Sequence, residues 1–168
     1  MKRVAIILCL IGFFISNGEA GPKNNYRIAE AFLKKCKKNE TIVSLGKFGW
    51  GEVEVYWSKV PELQKLRDDF EKADDELRDV LMQDEEYRLA REGLNAATGE
   101  DFEAKSKELR QTRLKVYRRL RRDSKPYRKA REKRDNALFI SNIETLEYII
   151  NDYKKQGREF PVDWIRKQ

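Results

Sequence analysis

The apolar positions of this chain change rhythm along its length, and each rhythm predicts a different element. In residues 26–38, Ile28, Ala29, Phe32, Leu33 and Cys36 recur at three- and four-residue spacing, while Lys34, Lys35, Lys37 and Lys38 cover the opposite face. That pattern predicts a short amphipathic helix with cations at its C-terminal end. Residues 41–45 read as a β-like run, and residues 52–57 alternate so that Val53, Val55 and Trp57 share a face. Gly46, Gly49 and Gly51 between them allow a turn, so a short β-hairpin is expected.

From Pro61 the rhythm becomes a heptad. Leu63, Leu66, Phe70, Ala73, Leu77, Val80, Asp84, Tyr87, Arg91 and Leu94 alternate steps of three and four, with two polar interruptions. Gly93 to Asp101 supplies a turn, with Thr98 as the expected cap of a returning helix. The seam of that helix is Phe102, Ser106, Leu109, Val116, Leu120, Tyr127 and Ala130, and Pro126 should break it near Ser124 and Lys125. After Asn136, Leu138, Phe139, Ile143, Leu146, Ile149, Ile150 and Tyr153 form a stripe wider than a two-helix seam needs. Gly157 closes that helix, and Phe160, Pro161, Trp164 and Ile165 form a tail able to tuck back.

The expected fold is therefore mainly α. A long antiparallel helical hairpin, coiled-coil-like and spanning residues 60–136, projects from a small α/β body. The body is built from residues 21–59 and 137–168, with the short β-hairpin and the N- and C-terminal helices.

Charge sharpens this picture. Residues 62–86 hold 11 Asp/Glu against 4 Lys/Arg, and residues 105–134 hold 15 Lys/Arg against 3 Asp/Glu. Folding back at the turn sets the acidic block against the basic one. The same register brings Leu94 to Phe102, Tyr87 to Leu109 and Val80 to Val116. Hydrophobic and charge patterns thus select one pairing independently.

Residues 1–20 stand outside the fold. Lys2 and Arg3 precede an apolar run from Val4 to Ile15, and Gly18 and Ala20 place small residues before a cut after Ala20. This is the pattern of a secretory signal peptide, too short for a comfortable membrane span. A soluble exported protein, periplasmic or extracellular, is expected. Removing Lys2, Arg3 and Glu19 lowers the formal charge by one from its full-chain value of +7. Of the 2 cysteines only Cys36 remains, so a disulfide framework is excluded.

The chain has no histidine, which removes the commonest general base, the His-dependent triads and most zinc sites. No phosphate-cradling glycine loop is present. The expectation is a protein that is not an enzyme, with no catalytic residue, metal ligand or cofactor.

What remains is binding. Arg118, Arg119, Arg121, Arg122, Arg128 and Arg131 wind around the basic helix and are candidates for polyanion contact. Phe48 and Trp50, on the glycine loop, and Trp164, in the tail, are candidates for partner contact. The layout, a small α/β body with a charged hairpin arm on a basic exported chain, resembles that of the Skp/OmpH periplasmic chaperones, although the tail from Phe160 to Trp164 departs from it. The resemblance implies a trimer whose arms hold unfolded outer-membrane proteins. The expected partner is a protein or unfolded client; a structural or adaptor role in the cell envelope or secretome is the alternative. A third reading is binding to an anionic polymer or membrane surface, with nucleic acid disfavoured by export and a homo-oligomer open. Mass spectrometry of the exported protein should find a mature N-terminus at Gly21; retention of residues 1–20 would overturn the leader.

Overall fold

The structure is a computed structural model that describes residues 22–99 and 101–166, with side chains described outside 22–24, 46–52 and 166. The expected signal peptide lies outside the described residues. The protein is mainly helical, with α1 (Pro22–Asn39), α2 (Gly46–Lys59), α3 (Pro61–Met82), α4 (Glu85–Ala96), α5 (Asp101–Asp123), α6 (Lys125–Gln156) and α7 (Val162–Arg166). The chain divides into two compact units, one made of the segments up to Gln64 and from Phe139 onward, the other of Lys65–Leu138.

In the first unit α1 buries Ala29, Leu33 and Cys36, the stripe its spacing dictates. Ile143, Leu146, Ile149, Ile150 and Tyr153 line the buried side of α6. Lys37 of α1 reaches Glu147 at 2.6 Å, and Lys154 of α6 reaches Glu30 at 2.9 Å. Both pairs are exposed and contribute little individually; they show which faces of α1 and α6 meet.

The expected β-hairpin is not formed. Residues 41–44 have no regular secondary structure, and residues 46–59, which include the alternating run, are helical. Val53 and Trp57 are buried four residues apart, whereas Val55 is 43% exposed, so the effective period is that of a helix. An isolated two-stranded hairpin is marginal in water, and where its outward N–H and C=O groups are covered they need partners that a hairpin alone does not supply. A helix satisfies them internally, and tertiary packing then outweighs the roughly 1 kcal/mol cost of each helical glycine. Tyr56 donates to Asp152 at 2.8 Å and Trp57 Nε1 donates to Thr145 Oγ1 at 3.0 Å, which docks α2 on α6. Val43, buried in the preceding coil, has its carbonyl satisfied by Asn142 Nδ2 at 2.7 Å.

The end of α6 is set by local chemistry. Gly157 sits at φ +66°, a left-handed conformation costly for any residue with a Cβ. It allows Arg158 N–H to reach the Tyr153 carbonyl at 3.0 Å and Gly157 N–H to reach that of Lys154 at 3.3 Å, a Schellman closure. The reversal returns Phe160 and Trp164 into the core. Trp164 is 4% exposed, edge-on to Phe32 at 6.1 Å and to Phe160 at 6.5 Å.

In the second unit the heptad helix is interrupted. Asp84, a seam position in the sequence reading, instead caps α4: its Oδ1 accepts from the Tyr87 N–H at 3.2 Å, and Glu85 and Glu86 fill the first turn. The returning helix breaks at Ser124, whose Oγ accepts from the Tyr127 N–H at 3.2 Å. Ten residues of straight helix would separate Tyr117 from Tyr127 by about 15 Å. Their ring centroids are 5.9 Å apart, so the chain bends at Ser124 and folds Tyr127 back. Leu81, Tyr87, Ala90, Leu109, Val116 and Tyr127 form the core of this unit.

These two breaks change the pairing. The expected register sets Glu86 opposite Arg110 and Asp74 opposite Arg122. Glu86 in fact meets Lys115 and Arg119, and Asp74 meets Arg134. The offset grows from more than one helical turn to about three. The bend at Ser124 takes up the difference, because it spends residues of the basic helices without advancing along the acidic ones. Phe102, expected in the seam, is 54% exposed. Tyr127→Ala should therefore lower stability by about 3 kcal/mol or more, and Phe102→Ala by under about 0.5 kcal/mol, as read by urea denaturation; equal losses would restore the original register.

Candidate anion-binding face

The basic helix α5 sorts its cations by face. The side turned toward α4 carries Lys115 and Arg119. Arg119 Nη2 donates to Asp84 Oδ2 at 2.6 Å and Nη1 to Glu86 Oε2 at 3.0 Å, while Lys115 Nζ donates to Glu86 Oε1 at 2.7 Å. The Lys115 ammonium and then the Arg119 guanidinium hold the Glu86 carboxyl below its ordinary value, and Asp84 with Glu86 raises Arg119. On α6, Lys133 Nζ donates to both Glu76 oxygens, at 2.7 and 2.6 Å, and keeps that carboxyl low. Arg134 donates to Asp74 at 3.1 Å and to Asp135 at 2.9 Å, with its guanidinium carbon 5.5 Å from the Phe70 ring centroid. Burial opposes the charge on Arg134, but those two carboxylates outweigh it and its pKa is raised.

The six arginines singled out by sequence do not behave alike. Arg119 is committed to Asp84 and Glu86. Arg122 pairs with its neighbour Asp123 at 2.8 Å, which draws that carboxyl down, and Arg131 pairs with Asp135 at 3.5 Å. Arg128 Nη1 donates to the carbonyls of Arg121 and Arg122, at 3.3 and 2.7 Å, and so places a cation on the last turn of α5. Arg118 and Arg121 are exposed and make no ion pair among the described residues.

Three further cations of α5, Lys107, Arg110 and Arg113, are exposed and likewise make no ion pair among the described residues. Arg113 lies over the Tyr117 ring, its guanidinium carbon 5.9 Å from the centroid, and Lys107 and Arg110 join Arg118 and Arg121. With Leu114, which is 51% exposed, the five positions step by three and four residues along the side of α5 opposite Leu109 and Val116. Projecting the sequence onto that opposite side would have found them; looking for the densest run of arginines did not. Of the partner-contact candidates, Trp164 is a core residue because the reversal after Gly157 drives it inward. The side chains of Phe48 and Trp50 lie outside those described, on helical backbone rather than a loop.

Among the described residues, no group of three His, Cys, Asp or Glu side chains is placed to hold a metal ion, and no helix is long and apolar enough to cross a membrane. The chain belongs to the DUF5039 family. The family is described as a domain of unknown function, and its model matches residues 19–168. No curated protein and no solved structure matches the chain.

The paired carboxylates make the second unit acid-sensitive with a definite sign. Glu76 and Glu86 have folded pKa values below their ordinary 4.5, so their pairs contribute fully above that value and are lost as pH falls through the lowered ones. Melting temperature should be level near neutrality and fall below about pH 4.5. Replacing both residues with Gln should flatten that acid limb; an unchanged limb would mean the pairs do not stabilise the fold.

Proposed function

We propose that the protein is an exported, non-enzymatic macromolecule-binding protein whose contact surface is the exposed cationic face of α5, and that its partner is anionic. The observation that carries this reading is the sorting of charge on one helix. Lys115 and Arg119 are answered by acidic residues of α4 and its cap, while Lys107, Arg110, Arg118 and Arg121 stand exposed on another side. A row of unanswered cations on one side gives that side a positive potential that attracts anions. Export is supported by the leader-like pattern of the first twenty residues. The acidic segments α3 and α4 and the basic segments α5 and α6 act as one antiparallel helical hairpin, a reading supported by the ion pairs from Asp74 to Arg134 and from Glu86 to Lys115.

A holdase role of the Skp/OmpH layout is the second reading. It is favoured by Leu89, Phe102 and Leu114, each more than half exposed on α4 and α5, which offer apolar footholds to an unfolded chain. A structural or adaptor protein would use neither property and would retain one defined folded partner.

The test compares partners for residues 21–168. Binding to immobilised anionic macromolecules should be strong at low salt and weaken steeply as salt rises. Suppression of aggregation of an unfolded β-rich client, with no anion binding at any salt, would replace this reading with the holdase.

A further inference from the structure

We infer that this face takes a linear anionic polysaccharide lengthwise, an inference that rests on the function proposed above and specifies its partner. Lys107 and Arg110 form one doublet and Arg118 and Arg121 a second, each pair three residues apart. The doublets repeat after eleven residues, which is close to three helical turns, so they lie in line with a drift of about 20°. They stand about 16 Å apart and the line is about 21 Å long. Because α5 is unbroken from Asp101 to Asp123, this spacing is rigid. Glu103 marks the N-terminal limit of the line, and Arg128, seated on the carbonyls of Arg121 and Arg122, adds positive charge at the other end.

Geometry separates this occupant from the others. A helix lying in a membrane surface inserts a broad apolar face. Most apolar residues of α5 face inward: Leu109 and Val116 are buried and Tyr117 and Leu120 pack on the same core, while the exposed Phe102 and Leu114 lie twelve residues apart and form no broad apolar face. Single-stranded nucleic acid is held by aromatic side chains that stack on bases, and the line contains none. A small anion would engage one doublet and gain nothing from the second. An extended polymer carrying sulfate or carboxylate groups satisfies both doublets at once, and the second engages intramolecularly after the first.

Calorimetric titration of residues 21–168 tests this, with heparin as the polysaccharide probe. Single-stranded DNA of matched charge, vesicles of mixed neutral and anionic phospholipid, and inorganic phosphate are the competing ligands. Heparin oligosaccharides long enough to span both doublets should bind at least tenfold tighter than those too short to do so. Lys107→Ala with Arg110→Ala, or Arg118→Ala with Arg121→Ala, should each lower affinity for the long oligosaccharides at least tenfold and remove the length dependence, with the helical circular dichroism unchanged. Lys34→Ala with Lys35→Ala, an equal loss of charge on exposed positions of α1, should leave affinity within twofold. Vesicles or DNA binding more tightly than heparin would overturn the inference and leave the anionic-partner reading standing. An equal loss in the α1 variant, or no length dependence, would also overturn it, since net charge would then suffice. Absence of binding to every anionic ligand would overturn both.

Discussion

Arg119 holds acidic residues on both sides of a helix start, and the second unit depends on that arrangement. Asp84 uses one carboxylate oxygen to cap α4 and the other to receive the guanidinium from α5. The residue that ends the long acidic helix is thus the one that positions the basic helix. The apolar seam alone would not fix this pairing. Its buried members are few, and heptad seams can slide by a turn with little loss of apolar contact. Exposed ion pairs contribute only about 0–1 kcal/mol each, yet registers competing on a thin seam differ by similar amounts. Charge therefore selects among arrangements that burial leaves nearly equal.

Satisfying the seam also creates the surface. Fifteen cations in residues 105–134 exceed what the acidic side can answer, and helical geometry decides which are left over. Those within reach of α3, α4 or a neighbouring carboxylate become structural. Lys107, Arg110, Arg118 and Arg121 point elsewhere and keep their charge for a partner. One sequence block thus supplies both an internal clamp and an external line of cations. The first unit is held differently, by Phe160, Trp164 and the apolar side of α6, with buried Thr145 and Asn142 matched by Trp57 and the Val43 carbonyl.

Much of the helical organisation was legible in residue order. The stripe of α1, the helix start at Pro61 and the stop at Gly157 follow from spacing and from the local chemistry of proline and glycine; the turn expected over Gly93 to Asp101 is shorter, because α4 continues through Ala96. The segment from Gly46 to Lys59 was not legible, because Val53, Val55 and Trp57 fit a strand as well as a helix over so short a run. The site was half legible. Dense arginines drew attention to residues 118–131, but four of the six chosen are occupied by carboxylates or carbonyls. Lys107 and Arg110 looked ordinary until the buried side of α5 was known.

The sequence by itself determined that the chain is mainly helical, where several of its helices start and stop, and that its acid and base are segregated. These properties are encoded locally, in side-chain period, caps and backbone permissiveness. Only the tertiary structure decided the state of residues 46–59, the register of the charged helices, the burial of Trp164 and the identity of the unanswered cations. Each of those turns on which distant residue comes within a few ångströms, and two helix breaks were enough to shift that outcome by several turns. Local preference names the elements; long-range packing and pairing decide what each side chain meets.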